Sequence, residues 1–181
     1  MKIVGIAGSH RTGSFNMALL RAAREECPAG AELEVESIQG IPVYDGDLEA
    51  AQGIPPRVAE LKDKVAAADA LLLVTPEYNN SIPGAFKNAI DWMTRPPSDS
   101  ARVFRGRPVG LIGASPGNYG TLLSQTAWLP VFRTLGMRPF YGALLYVGNA
   151  GKVFDASGKL VDDAIRARLR KYMEGFAAFV A

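Results

Sequence analysis

Residues 3–16 read IVGIAGSHRTGSFN, and this stretch decides the fold class. It opens with a short apolar run, Ile3–Ala7, then passes through a glycine and a polar loop into a helical pattern from residue 15. A short apolar run bounded by turn residues is typical of a strand buried on both faces of a parallel sheet. The stretch therefore predicts a strand, a loop and a helix, the repeating unit of an α/β fold.

The same alternation continues along the rest of the chain. Further strands are predicted at residues 33–38, 70–74, 109–112 and 143–147, and helices at 15–27, 58–68, 84–94, 121–135 and 165–180. Glutamates alternate through the second run, as in an exposed edge strand, and Pro130 predicts a kink or an early break in its helix. The pattern predicts one domain over residues 1–181, a doubly wound five-stranded parallel sheet with helices on both faces.

Composition excludes several functional classes. The 181 residues include 20 basic and 18 acidic side chains, a balance that argues against nucleic acid or an anionic membrane as the main partner. No run approaches the roughly 18 apolar residues of a membrane helix, and no signal peptide is recognisable, so we expect a cytoplasmic protein without membrane insertion. With only Cys27 and His10 available, no metal site is predicted.

Three loops are the expected ligand site. In doubly wound sheets ligands lie beyond the carboxyl ends of the strands, near the point where the strand order reverses. The loops that follow the first, third and fourth predicted strands are residues 8–14, 75–84 and 113–120. Six of the 19 glycines fall in these loops, which directs attention to them without identifying a ligand.

The first loop predicts an anion site, because a helix begins there and its free N–H groups and positive dipole end attract anions. Hydroxyl, guanidinium and amide groups surround that point, which favours a terminal phosphate over a bridging pyrophosphate. Gly8 and Gly13 have the glycine spacing of a P-loop, but the following Lys and Ser/Thr are missing, so an NTPase is excluded. The alternative is a helix-capping turn with a solvated Arg11 and an exposed His10.

The second loop opens the stretch TPEYNNSIPGAFKNAIDW, residues 75–92. Two prolines stiffen it, so its backbone could face the polar edge of a planar ring while Tyr78 offers a flat wall. A rigid structural loop, with Tyr78 packed and Glu77 solvated, explains the same residues equally well.

The third loop contains a misleading motif. Residues 113–117, GASPG, match the G-x-S-x-G nucleophile elbow of α/β-hydrolases. The residue after the serine must supply an oxyanion-hole N–H, and Pro116 has none. The one histidine also precedes the serine, against the order of the hydrolase triad.

Cys27 lies near the end of the first helix, far from the loops, so a thiol phosphatase is excluded as well.

Two motifs resemble the NAD(P)H-dependent FMN reductase family. Residues 8–16 are similar to its phosphate loop, G-S-x-R-x-x-S-x-N, and residues 76–92 to its P-E-Y-N signature, with Phe86 in place of the usual leucine. The resemblance covers the whole chain in strand order and length. It implies a flavodoxin-like fold, bound FMN, NAD(P)H as hydride donor, a small-molecule acceptor, and a homodimer or homotetramer.

The resemblance also implies which residues hold the flavin. The FMN phosphate would contact Ser9, Arg11, Ser14, Phe15 and Asn16. The isoalloxazine ring would be bordered, largely through backbone groups, by Pro76, Glu77, Tyr78 and Asn79. The third loop would close the pyrimidine side through Ser115, Pro116 and Gly117, although it ends in Gly120-Thr121 where the family often has Gly-Gly.

The implied activity is hydride transfer from NAD(P)H to flavin N5, followed by reduction of a quinone, chromate or similar acceptor at the same ring face. The flavin carries this chemistry, so no catalytic side chain is predicted. Two alternatives remain: a flavin reductase that uses FMN as a substrate, and a flavodoxin-type electron carrier. The net charge of +2 disfavours the carrier, because flavodoxins are strongly acidic.

Overall fold

A computed structural model of the chain describes all of residues 1–181. The strands are β1 (Lys2–Ala7), β2 (Glu32–Ser37), β3 (Ala70–Val74), β4 (Pro108–Ala114), β5 (Arg138–Pro139) and β6 (Tyr146–Val147). The helices are α1 (Phe15–Glu25), α2 (Gly46–Gln52), α3 (Pro56–Ala67), α4 (Gly84–Met93), α5 (Ser100–Phe104), α6 (Leu122–Thr134), α7 (Ala150–Val153) and α8 (Asp163–Val180), with a 3-10 turn at Pro97–Asp99. None of these helices combines the length and apolar character needed to cross a membrane.

All the strands are parallel, in the order β2-β1-β3-β4-β5, and β6 also pairs with β4. The order reverses between β1 and β3, so the ligand edge of a doubly wound sheet lies at their carboxyl ends. β2 pairs with β1 alone and forms an edge, as its alternating glutamates predict. The predicted flavodoxin-like, doubly wound fold is confirmed.

Two apolar cores lie on opposite faces of the sheet. One joins α1 and α8 to the sheet and includes Leu19 and Phe176. The other joins α3, α4 and α6 to it and includes Val58, Phe86 and Trp128. β3 is buried along its whole length, as its unbroken apolar run predicts. Both faces of the central strands are therefore covered, which leaves the strand ends as the place for a ligand.

The fifth strand differs from the prediction of one run at residues 143–147. Two short pieces, β5 and β6, pair with the two ends of β4 instead, and Leu111 faces the gap between them. The hydroxyl of Tyr172 on α8 fills this gap, because it accepts from the Leu111 N–H at 2.7 Å and donates to the Leu111 carbonyl at 3.2 Å. Burial raises the pKa of Tyr172, so the hydroxyl keeps the proton that it donates.

α6 runs through Pro130 without the break that the sequence suggested. A proline inside a helix removes one backbone donor, and here its ring lies on the exposed side. Trp128 and Phe132, on the buried side, are almost completely enclosed in the core. The buried residues before and after Pro130 stabilise the helix through their packing. The local sequence does not reveal this packing.

Candidate functional site

The three predicted loops leave neighbouring strands and are bonded to each other. The Gly8 N–H donates to the Val74 carbonyl at 3.0 Å, and the Thr75 N–H donates to the Ile112 carbonyl at 2.9 Å. A Cβ at Gly113 would lie 2.2 Å from the Thr75 carbonyl oxygen, so only glycine allows the second and third loops to approach so closely. The loops therefore form one continuous edge above β1, β3 and β4.

Two buried hydroxyls in the first loop keep a proton to donate. Ser14 caps α1, where its Oγ accepts from the Met17 N–H at 3.2 Å. The Oγ of Ser9 accepts from the Arg11 N–H at 3.3 Å. Since each oxygen already accepts from the backbone, each O–H is left to donate to another group. Both serines are only 7% exposed, so they are held in place rather than free in solvent.

Further donors in this loop have no partner within the chain. The guanidinium of Arg11 is exposed and forms no ion pair or hydrogen bond. The N–H groups of Thr12, Gly13 and Ser14 donate to no backbone or side-chain acceptor. α1 has no acidic residue in its first turn, so its positive end is uncompensated. This donor set fits a phosphate group, whereas a simple capping turn would explain only Ser14.

Asn16 uses its side chain differently from the predicted phosphate contact. Its Nδ2 donates to the Ala114 carbonyl at 2.9 Å, and its Oδ1 accepts from the Ala114 N–H at 2.9 Å. Asn16 is only 4% exposed, and its amide joins the start of α1 to the end of β4. In this structure Asn16 therefore positions the first loop through its side chain, and only its backbone N–H faces the helix end.

Phe15 and Phe86 both face the protein interior. Phe15 stacks on Phe154, with ring centroids 6.0 Å apart, so its side chain anchors the start of α1. Phe86 is fully buried, in agreement with a core-facing change from leucine. A Cβ at Gly8 would lie 2.0 Å from the Phe86 ring, so Gly8 is required by this packing.

The second loop contains a tight hairpin. The N–H of Tyr78 donates to the Ser81 carbonyl at 3.2 Å, and the Ser81 N–H donates back to Tyr78 at 3.0 Å. Asn79 and Asn80, between them, both have positive φ, at 49° and 61°. Two left-handed residues in a two-residue turn are typical of a type I′ turn, for which asparagine is well suited. The turn adds to the rigidity that the two prolines predict.

Only some of the predicted ring contacts remain available at the backbone. Pro76 has no N–H, and the N–H of Tyr78 is used within the hairpin. The N–H groups of Glu77 and Asn79 donate to no other group in the chain. The Tyr78 side chain is 50% exposed, so its ring can cover a flat ligand. Among the predicted ring contacts, two backbone donors and one aromatic face are therefore free.

The carboxylate of Glu77 caps a helix and is not simply solvated. Its Oε2 accepts from the N–H groups of Leu123 and Ser124, both at 2.9 Å, in the first turn of α6. Sequence reasoning missed this contact, because the two partners are 46 and 47 residues away and no local pattern relates them.

The third loop is held by its own contacts and by the segment after β6. The Ser115 hydroxyl donates to the Gly120 carbonyl at 2.6 Å. Its proton is therefore directed to a backbone carbonyl and not to a base, as a nucleophilic serine would require. Gly117 accepts from the Asn149 N–H at 3.0 Å. Gly120 has a φ of 63°, and a Cβ there would lie 2.9 Å from the backbone of β6. Pro116 and Gly117 remain exposed at the ligand edge.

A further segment, residues 39–44, also reaches this edge and was not predicted. The amide of Asn88 binds both the Tyr44 N–H, at 2.8 Å, and the Pro42 carbonyl, at 2.9 Å. Gln39 donates to the carbonyl of His10 in the first loop at 3.3 Å. Asn88 belongs to the second sequence motif, so its presence there is the one signal that could have suggested this contact.

No group of three or more His, Cys, Asp or Glu side chains could hold a metal ion.

Comparison with known proteins identifies the family. The family model described as NADPH-dependent FMN reductase matches residues 1–152, most of the chain. The chain belongs to this family. The predicted family and its enzyme class, a flavin-dependent NAD(P)H oxidoreductase, are therefore confirmed.

Relatives within and near the family match over almost their full length. An NAD(P)H-dependent FMN reductase of Pseudomonas aeruginosa is 39% identical over 180 residues, covering 99% of this chain and 95% of the relative. A 2-hydroxy-1,4-benzoquinone reductase of Burkholderia is 35% identical, with 99% and 96% covered. The solved structure of FerB, a flavoenzyme NAD(P)H:(acceptor) oxidoreductase from Paracoccus denitrificans, has a TM-score of 0.86 at 31% identity, with 99% and 96% covered.

Proposed function

We propose that this protein binds FMN in the three loops and uses NAD(P)H to reduce a quinone or a similar small acceptor. The observation that carries the proposal is the donor set of the first loop. The hydroxyls of Ser9 and Ser14 keep protons to donate, Arg11 has no ion pair, and three consecutive N–H groups have no acceptor. These donors surround the start of α1, whose first turn contains no acidic residue. Such a set of donors at a positive helix end suits a phosphate monoester.

In this proposal the chain binds and orients the flavin rather than reacting itself. The N–H groups of Glu77 and Asn79, which have no acceptor in the chain, would face the polar edge of the ring, and the exposed Tyr78 would cover part of it. Ser115, Pro116 and Gly117 border the opposite side. When bound, FMN supplies the electron chemistry, accepting hydride from NAD(P)H and passing two electrons to the acceptor. No side chain is assigned as general acid or base.

A quinone is the acceptor that the comparisons support best. The Burkholderia relative is named a 2-hydroxy-1,4-benzoquinone reductase, and a relative from Escherichia coli, 32% identical, is named a quinone reductase. A planar quinone can stack on the exposed ring face after NAD(P)⁺ leaves. Chromate remains a second acceptor to test.

A single FMN-binding domain over residues 1–181 and a cytoplasmic location complete the proposal.

The proposal includes a homo-oligomer, built through an apolar surface that we call the α6 surface. It consists of Leu122, Leu123 and Leu129 on α6 with Tyr141 and Leu144, all at least 39% exposed. A helix that is apolar on its outer face as well as its inner face is normally covered. α6 carries a single charged residue, Arg133, so a second copy of this chain can approach with little charge repulsion.

Steady-state kinetics with purified protein test the proposed reaction. NADH and NADPH are compared as donors against a panel of benzoquinones, naphthoquinones and chromate, with and without added FMN. Rapid quinone-dependent oxidation of either donor without added FMN is expected. Turnover that appears only after FMN is added, or no quinone-dependent turnover with either donor, would overturn the proposal.

A further inference from the structure

The carboxylate of Glu77 supplies a helix cap that α6 itself lacks. Thr121 precedes α6, and its side chain makes no capping hydrogen bond. Glu77 instead reaches from the second loop and accepts from the Leu123 and Ser124 N–H groups, both at 2.9 Å. A carboxylate at a helix N-terminus also interacts favourably with the positive end of the helix dipole. The contact therefore combines two charge-assisted hydrogen bonds with dipole stabilisation.

A second bond joins the same loop to the same helix turn. The Thr75 hydroxyl, fully buried, lies 3.0 Å from the Ser124 hydroxyl and accepts from the Trp128 Nε1 at 3.1 Å. Thr75 and Glu77 flank Pro76, so both ends of this short segment are fixed to α6. The hairpin from Tyr78 to Ser81 follows immediately and has few other attachments.

We infer that Glu77 is a positioning residue, whose carboxylate holds the second loop against α6 so that the N–H groups of Glu77 and Asn79 face the flavin ring. This inference rests on the proposed function, since the ring is the ligand whose orientation it sets. The side chain itself points to α6 and makes its contacts there. Glu77 therefore acts on the flavin through the loop backbone.

The test compares three variants. Glu77→Ala removes both hydrogen bonds. Glu77→Gln keeps one oxygen able to accept both, since both bonds reach the same carboxylate oxygen, and loses only the charge. Asp162→Ala is the matched control, because Asp162 caps α8 through the Ile165 N–H at 2.9 Å and belongs to none of the three loops.

Two readouts are measured: the FMN dissociation constant by flavin fluorescence, and amide hydrogen exchange of the FMN-free chain. Glu77→Ala should weaken FMN binding about tenfold, with faster exchange at Leu123, Ser124, Tyr78 and Ser81. Glu77→Gln should restore affinity to within about threefold of wild type. Asp162→Ala should leave FMN affinity and exchange in residues 76–81 unchanged.

Three outcomes would overturn the inference. These are unchanged exchange in Glu77→Ala, unchanged FMN affinity in that variant, or an equal loss of affinity in Asp162→Ala. A wild-type chain that fails to bind FMN would overturn the proposed function instead, while the exchange data would still decide whether Glu77 anchors the loop.

Discussion

At the scale of single residues, the site depends on hydrogen-bond donors that the fold leaves without partners. Ser9 and Ser14 each accept one backbone N–H, which fixes the oxygen and leaves the proton free. Arg11 differs from many cations of this chain, such as Arg57 and Arg102, because it pairs with no carboxylate. An anion that binds here meets oriented donors without first breaking an ion pair.

Replacing Arg11 by alanine should weaken FMN binding by about 1–3 kcal/mol, the usual value of one charge-assisted hydrogen bond. Stability should hardly change, because the side chain is exposed and unpaired. The dissociation constant can be measured by fluorescence titration, with Arg168→Ala, an exposed arginine on α8, as the control. Equal FMN affinity in wild type and Arg11→Ala would show that Arg11 does not contact the phosphate.

The sequence predicts the donors of this loop better than it predicts the roles of their neighbours. Hydroxyls before a helix, a cation and a glycine turn are local signals, and Ser9, Arg11 and Ser14 carry them. Asn16 carries the same signal, yet its amide binds Ala114, 98 residues away. Glu77 similarly binds the start of α6. Whether a polar side chain binds a ligand or a distant backbone group depends on where the fold places both partners. The local sequence does not contain that information.

At the scale of elements, the interrupted fifth strand is compensated by a helix. Leu111 pairs with Leu73 of β3, but β5 and β6 leave it without a strand partner on its other side, where the Tyr172 hydroxyl bonds to both its N–H and its carbonyl. The sequence predicts a helix at residues 165–180, but nothing in its pattern indicates that Tyr172 bonds to β4. Tyr172 thus combines core packing with a hydrogen bond that the sheet requires.

Replacing Tyr172 by phenylalanine should lower the free energy of unfolding by about 1–3 kcal/mol, because it leaves the partly buried N–H and carbonyl of Leu111 without their partner. Denaturant unfolding by circular dichroism would measure the loss. Tyr146→Phe is a suitable control, since the Tyr146 hydroxyl makes no hydrogen bond in the chain. A Tyr172→Phe variant as stable as wild type would mean that water satisfies Leu111 instead.

The order of the elements is predicted from the sequence, whereas the exact extent of several elements is not. Apolar runs identify β1, β3 and β4 because these strands are buried on both faces. β5 is two residues long and contains a proline, so no periodic signal identifies it. α6 continues through Pro130 because buried aromatic residues stabilise it on the inner face.

At the scale of the whole molecule, the exposed apolar residues of the α6 surface are the basis of the proposed homo-oligomer. Leu129, Tyr141 and Leu144 border one apolar groove of about 110 Å³. Among the large aromatic residues, Trp92 and Trp128 are fully buried in the core, whereas Tyr119 is exposed. Burial thus separates interface candidates from core residues, which composition does not.

Replacing Leu144 by aspartate should shift the protein toward a smaller species, because a charge buried in an apolar contact loses hydration without gaining a partner. Light scattering coupled to size-exclusion chromatography would measure the molar mass. Val161→Asp, at a similarly exposed apolar residue outside the α6 surface, should keep the mass of wild type. A wild-type protein that is monomeric at all concentrations would contradict the proposed oligomer.

In the proposed function, the three loops hold a flavin that exchanges electrons with NAD(P)H and a quinone. The most direct test follows the absorbance of the purified protein without oxygen, first after adding NADH or NADPH and then after adding a benzoquinone. We expect a yellow protein with stoichiometric FMN, whose colour is bleached by the nucleotide and restored by the quinone. A protein that binds no FMN, that holds FMN which neither nucleotide bleaches, or that turns over only with added FMN would contradict it.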